Sequence, residues 1–190
     1  MRRIALLSDI HGNAAALDEV LADISARGIA ERYCLGDLIG YNREPTLVTT
    51  RLRELQIPTV RGNCDEPAGS TVSDLDRKWL AGLPWQLRFE HHGTRVLLTH
   101  GSPRRINEYL TLDISDYHLM NMAEDADADV VCVGHVHTPY HRKVAAPFGK
   151  TLHFICAGSV GKPRDGYRRA TWVELILGNS AEVDSVVHRI

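Results

Sequence analysis

Seven side chains able to hold a metal fall into five short groups: Asp9 with His11, Asp37, Asn63, His100, and His135 with His137. Each group follows the carboxyl end of an apolar run, the edge of an open α/β sheet where ligands bind. Taken singly, each has an ordinary explanation. Asp9 and Asp37 could close a turn or cap a helix. His100 could be a satisfied core histidine, and the two histidines of "GHVH" would share a strand face for packing reasons alone. Five separate strand ends carrying Asp, Asn or His are not expected by accident.

The donor count also bears on stoichiometry. Two Asp, one Asn and four His are too many ligands for one ion but suit two, provided that one carboxylate bridges. The mixed nitrogen and oxygen set suits Mn2+, with Fe, Zn2+, Co2+ or Ni2+ also compatible, better than an oxygen-only ion such as Ca2+. Paired ions roughly 3.5–4 Å apart generate a hydroxide near neutral pH and clamp the oxygens of an in-line phosphoryl displacement. Two divalent ions facing Asp9 and Asp37 leave a net positive centre, which a phosphate ester and a hydroxide would neutralise.

Elements that could position these groups are legible in the pattern. "RIALLS" (3–8) reads as a buried strand. It leads into a helix over 14–27 with Leu17, Val20, Leu21 and Ile24 at helical spacing, capped by Asn13 and ended at Gly28. A strand over 32–37, a helix over 44–55 with Pro45 in its first turn, and a strand over 57–62 complete an alternation that predicts a parallel sheet with right-handed crossovers. A short helix over 75–83 precedes strands near 85–90 and 94–99. The stretch 101–112 reads as a long polar loop, a length that in compact domains often serves function. A helix near 114–126 and a strand over 129–135 follow. The rest is strands near 140–145, 151–156, 170–177 and 182–188, with a hairpin turn at 178–180. The fold class is α/β with a second sheet packed on the first, in a single domain over 1–190.

Composition bounds the function classes. The 190 residues carry a net charge of −2, with 44% hydrophobic and 24% charged residues. Without a basic excess, strong nucleic-acid binding is not expected. The apolar runs are too short to span a membrane, and "MRRIALLSDIHGN" turns polar too early for a signal peptide. Cys34, Cys64, Cys132 and Cys156 are scattered, which suggests free thiols in a reducing cytoplasm. No visible seam decides whether the chain forms a homo-oligomer. Trp79, Trp85 and Trp172 read as core anchors. His91, His92, His118, His141, His153 and His188 read as surface or packing residues.

Asp9-x-His11, Gly36-Asp37, Gly62-Asn63-Cys64-Asp65, His100-Gly101 and Gly134-His135-x-His137 together resemble the calcineurin-like metallophosphoesterase superfamily, in order and spacing from residue 4 to about 161. The short length, Cys64, "HGSPRRINEYL" and "AGSVGKPRDGYRRATWVEL" are similar to its small bacterial and archaeal phosphodiesterases of the YfcE type. The resemblance implies a four-layer α/β/β/α sandwich, two sheets flanked by helices. It implies that Asp9, His11 and His137 hold a first ion, Asn63, His100 and His135 a second, and that Asp37 bridges. Asn63, Cys64, Asp65 and His100 would then form the catalytic set. At position 64 the superfamily mostly carries a histidine, oriented by the next acidic residue, that protonates the leaving oxygen. A thiol with an unperturbed pKa of ~8.5 replaces it poorly, and losing a general acid costs ~10²–10⁴-fold for leaving groups that need the proton. A redox or nucleophilic role for Cys64 is the weaker reading, since no second cysteine lies near it in sequence.

The expected substrate is a small or nucleotide-type phosphodiester. Asn13, Arg104, Arg105 and Arg164 are candidate phosphate contacts, although Asn13 also suits a helix cap. A phosphomonoesterase or protein phosphatase is the alternative activity, and a catalytically silent binding scaffold is the alternative class.

Overall fold

The computed structural model describes residues 1–66, 72–179 and 181–190. In chain order the strands are β1 (Arg2–Leu7), β2 (Glu31–Cys34), β3 (Gln86–His91), β4 (Thr94–Thr99), β5 (Val130–Val133), β6 (Tyr140–Ala145), β7 (Thr151–Cys156), β8 (Thr171–Leu177) and β9 (Val183–Arg189). The helices are α1 (Ala14–Ala26), α2 (Pro45–Glu54), α3 (Asp74–Ala81) and α4 (Asp116–Asp125). One sheet runs β2-β1-β8-β9 and the other β3-β4-β5-β7-β6.

Alternating side chains build the layers. Along β1, Ile4 and Leu6 face the second sheet, while Ala5 and Leu7 face the helices. On that outer face they meet Leu17, Val20, Leu21 and Ile24 of α1 and Val48 and Leu52 of α2. Val96 and Leu98 of β4 join Ile4 and Leu6 between the sheets, and Leu97 points outward to Leu119, Met122 and Ala123 of α4. Each such side chain contributes roughly 1.5–3 kcal/mol on burial, far more than helix propensity differences. The four-layer α/β/β/α sandwich is therefore the arrangement the structure adopts.

The strand partners differ from the predicted parallel sheet. β1 and β2 are parallel, but β8 pairs antiparallel with β1, with Arg2 opposite Leu177, so the C-terminal hairpin completes the N-terminal sheet. The second sheet is mixed: β4, β5 and β7 are parallel, with β3 and β6 antiparallel at its edges. The expected strand over 57–62 contributes a single bridge, Cys34 to Thr59. Pro58 has no N–H to extend the ladder, and β2 ends at Cys34. Trp172 is fully buried as expected, whereas Trp85, which precedes the edge strand β3, is 61% exposed. The hairpin predicted at 178–180 joins β8 and β9, with Gly178 N–H donating to Glu182 O; position 180 itself lies outside the described residues. Among the described residues, no helix is long and apolar enough to cross a membrane.

Candidate metal centre

The loops that follow β1, β2, β4 and β5, together with the turn at 62–65, converge on one edge of the sandwich. Five of the seven expected ligands sit in the left-handed backbone region: Asp9 at φ 53°, His11 at 51°, Asp37 at 56°, and His135 and His137 at 62°. Each such residue costs roughly 1–3 kcal/mol and persists only where its surroundings over-determine it. Here they do. Asp9 N–H donates to Gly36 O, His11 N–H to Asp37 O, and Gly134 N–H to His100 O, which ties the strand ends together. Two glycines permit the approach. A Cβ on Gly62 would lie 2.2 Å from Asp37 N and Oδ1, and one on Gly134 would lie 1.9 Å from Ser8 Oγ.

The ligand atoms form two sets. His137 Nε2 lies 3.0 Å and His11 Nε2 3.6 Å from Asp9 Oδ1. Asp37 spans both sets: Oδ2 lies 3.8 Å from His11 Nε2, and Oδ1 lies 3.4 Å from His100 Nε2. Donor atoms of Asp9, His11 and His137 fall within 4.8 Å of one another, as do those of Asp37, His100 and His135. Asn63 Oδ1 reaches to 3.1 Å from His100 Nε2. All seven expected ligands are thus gathered, six of them buried and Asn63 exposed.

The surroundings fix which atoms face inward. His11 Nδ1 lies 3.1 Å from Ile39 O, His100 Nδ1 2.7 Å from Leu35 O, and His137 Nδ1 2.6 Å from Lys162 O, while His135 bonds the Asn107 backbone. Carbonyl partners make Nδ1 of His11, His100 and His137 the donor and turn each Nε2 toward the ligand cluster, the usual support for a metal-binding imidazole. Asp9 Oδ2 is satisfied by Ser8 Oγ at 2.6 Å and His135 N–H at 2.9 Å. Asp9 Oδ1 and His135 Nε2 are buried without any hydrogen-bond partner. An orphaned acceptor pair at such depth calls for an explanation, and a bound cation on each supplies it. The residues therefore fit a divalent metal pair.

Charge follows the same geometry. Burial holds His11 and His135 below their usual range, which favours the neutral imidazole a metal requires. Burial would also lower His100, but the Asp37 carboxylate outweighs it and pushes His100 up to about 9. Burial works to raise Asp37, and the opposing pull of His100 and the Cys64 N–H, at 2.7 Å, leaves it well below the usual carboxylate range.

Asp65, expected in the catalytic set, is fully buried and spends both carboxylate oxygens on backbone amides. Its Oδ2 accepts from Asp37 N–H at 2.9 Å and Gly62 N–H at 2.8 Å, and its Oδ1 from Leu38 N–H at 2.7 Å and Ile39 N–H at 3.3 Å. It shapes the loop that carries Asp37. Cys64 is half-buried beside that loop, with Asn63 Nδ2 donating to Sγ at 3.4 Å, and His11, Asp37 and Cys64 form a third group within metal-holding reach. Asn13, a candidate substrate contact, spends its Oδ1 on Ala16 N–H at 3.1 Å as the cap of α1. Arg104 pairs with Glu108 at 2.5 Å. Arg164 donates its backbone N–H to His137 O at 3.0 Å and is exposed, as is Arg105, whose charge acts on Glu108. Sequence reasoning missed Ser8, which orients Asp9, and three residues lining the site: Tyr41, Tyr109 and Lys162. Tyr109 had a signal, an aromatic side chain inside a polar loop.

Comparison with known proteins agrees with this geometry. Residues 1–176 match the family model of the calcineurin-like phosphoesterase superfamily domain. The chain belongs to that superfamily. It is 31% identical over 204 residues to the uncharacterized protein MJ0912 of Methanocaldococcus jannaschii, an alignment covering 89% of this chain and 80% of the relative. A metallophosphoesterase from Sphaerobacter thermophilus superposes with a TM-score of 0.78 at 27% identity, covering all of this chain and 88% of the other. YfcE, a phosphoesterase from E. coli, shares the fold at a TM-score of 0.59 and 24% identity, covering 97% and 98% of the two chains.

Proposed function

We propose that this protein is a divalent-metal-dependent phosphodiesterase acting on small or nucleotide-type phosphodiesters, with Mn2+ the best-suited ion. The observation that carries the reading is the shared carboxylate: Asp37 presents one oxygen to each ligand set, and orphaned acceptors lie in both. Asp9, His11 and His137 would hold one ion, Asn63, His100 and His135 the other, with Asp37 common to both. A divalent pair supplies water activation near neutral pH and charge stabilisation for in-line phosphoryl transfer.

The chain's own residues set the rest. The neutral amide of Asn63 contributes an oxygen without cancelling the positive charge that attracts an anionic ester. In the metal-free chain burial, reinforced by Asp37, pushes the Cys64 thiol up to about 12; bound cations would lower it, and a thiol near neutral pH is in either case a poorer proton donor than an imidazolium. Esters whose leaving oxygen departs unprotonated are therefore favoured. Arg164 and Arg105, both exposed, are the candidates for non-bridging phosphate oxygens.

A panel of aryl and alkyl phosphodiesters and monoesters, crossed with Mn2+, Fe2+, Zn2+, Co2+ and Ni2+, tests the reading. Diester turnover with two ions bound per chain is expected. Monoesters turned over faster than the matched diesters would favour a phosphomonoesterase. Fewer than one ion per chain with no turnover would favour a binding scaffold.

A further inference from the structure

Two exposed aromatic rings lie against the ligand imidazoles, one on each set. The Tyr109 ring stacks on His135 with centroids 4.0 Å apart and an interplanar angle of 26°. The Tyr41 ring meets His11 edge-on at 4.7 Å and 88°. Both remain open to solvent, at 51% and 64% exposure. A ring needed only to orient an imidazole is better buried, since exposure forgoes most of its burial energy.

Both are also held in place. Tyr41 sits at φ 50°, in a loop fastened by Asn42 N–H to His11 O and Glu44 N–H to Gly12 O. Tyr109 follows a segment tied by Ser102 N–H to Arg105 O and by the Ser102 hydroxyl to Glu108. Gly101 permits this turn, because a Cβ there would lie 2.3 Å from Ile106 O. Lys162 Nζ lies 3.2 Å from the Tyr41 ring centroid, and its backbone carbonyl holds His137. The Lys162 ammonium therefore covers one face of the Tyr41 ring at the rim of the centre.

Resting on the phosphodiesterase reading above, we propose that Tyr109 and Tyr41 bracket the phosphate position and stack flat aromatic ester groups of the substrate. Lys162 adds positive charge at the Tyr41 side. A diester carries an organic arm on each side of phosphorus, and the structure offers one ring beside each ligand set. The substrate class is then a phosphodiester bearing a nucleobase or aryl group on at least one arm. Dialkyl and lipid-type diesters lack the planar face that such rings recognise.

Calorimetric titration of Mn2+-loaded protein tests this without turnover. Adenosine monophosphate against ribose 5-phosphate isolates the base, and phenyl phosphate against methyl phosphate isolates an aryl ring. The aromatic member of at least one pair is expected to bind about 5–10-fold more tightly, in line with one aromatic contact. A gain in the first pair alone assigns the rings to nucleobases, and a gain in both assigns them to aromatic groups generally. Tyr109→Ala should remove most of that gain while leaving methyl phosphate and Mn2+ affinity unchanged, and Tyr109→Phe should preserve it. No gain in either pair overturns the proposal. So does a Tyr109→Ala variant that weakens all four ligands and Mn2+ together, since that identifies a support for His135 only. Aromatic preference without hydrolysis of any diester would refute the phosphodiesterase reading and leave the aromatic recognition standing.

Discussion

Asp65→Asn probes the claim that a buried carboxylate, rather than local sequence, holds Asp37 in place. The substitution is nearly isosteric, but it replaces one acceptor oxygen by an NH2 group. Either orientation of the amide leaves two of four backbone donors facing another donor: Asp37 and Gly62 N–H in one case, Leu38 and Ile39 N–H in the other. Each unmet buried donor costs roughly 1–3 kcal/mol, which gives about 2–6 kcal/mol. Relief of repulsion from Asp37 offsets part, so a net loss of about 3 kcal/mol is expected in urea unfolding of the metal-free protein. The same loop carries Asp37 and the Ile39 carbonyl that orients His11. Mn2+ affinity should therefore fall about 10–100-fold, as for other supporting partners of metal ligands. A variant with stability within about 0.5 kcal/mol of wild type and unchanged Mn2+ affinity, altered only in turnover, would refute the positioning role. It would restore the direct catalytic part first expected for Asp65.

Three further outcomes are expected. Cys64→His should raise turnover of alkyl phosphodiesters by up to about 10²-fold and of aryl diesters little; equal gains on both would show that leaving-group protonation is not what position 64 controls. Gly134→Ala places a Cβ 1.9 Å from Ser8 Oγ and 2.7 Å from Asp9 Oδ2, so metal analysis should find the Asp9 set weakened at least about tenfold, and two ions bound with wild-type affinity would count against the geometry. His153 is 6% exposed, and burial with the neighbouring His141 lowers it to about 4. Its folded value lies below the unfolded one near 6.5, so the unfolded chain takes up the proton first and stability is lost as pH falls from about 6.5 to 4. At pH 4.5 that loss is about 2 kcal/mol. Urea midpoints at pH 7 and 4.5 should diverge less in His153→Gln, and parallel losses would show that this histidine does not set the acid sensitivity.

The superfamily pattern explains why so much of the site was legible. Residue type carries coordination chemistry, and an apolar run ending in Asp, Asn or His marks both a strand and its ligand-bearing end. All seven side chains that the structure gathers were found this way, because each needed only local information: an apolar run, its end, and a donor atom. Asn13 and Asp65 show the limit. An Asx side chain near a helix start caps it or reaches a ligand according to where the loop turns. An Asp beside a metal ligand acts on substrate or backbone according to which amides surround it. Neither choice is written in neighbouring residues.

What the amino-acid order determined by itself was most of the elements, the donor types and the two-sheet class, since these follow from periodicity and side-chain chemistry within short windows. Tertiary structure alone decided that β8 returns to pair with β1, that residues 57–62 form one bridge rather than a strand, and that Asp37 turns one oxygen to each ligand set. It also decided that Tyr41 and Tyr109 border the metal centre from segments 68 positions apart in the sequence. The physical reason is range: hydrogen bonding and apolar burial between distant segments fix partner and orientation only once the chain has closed on itself.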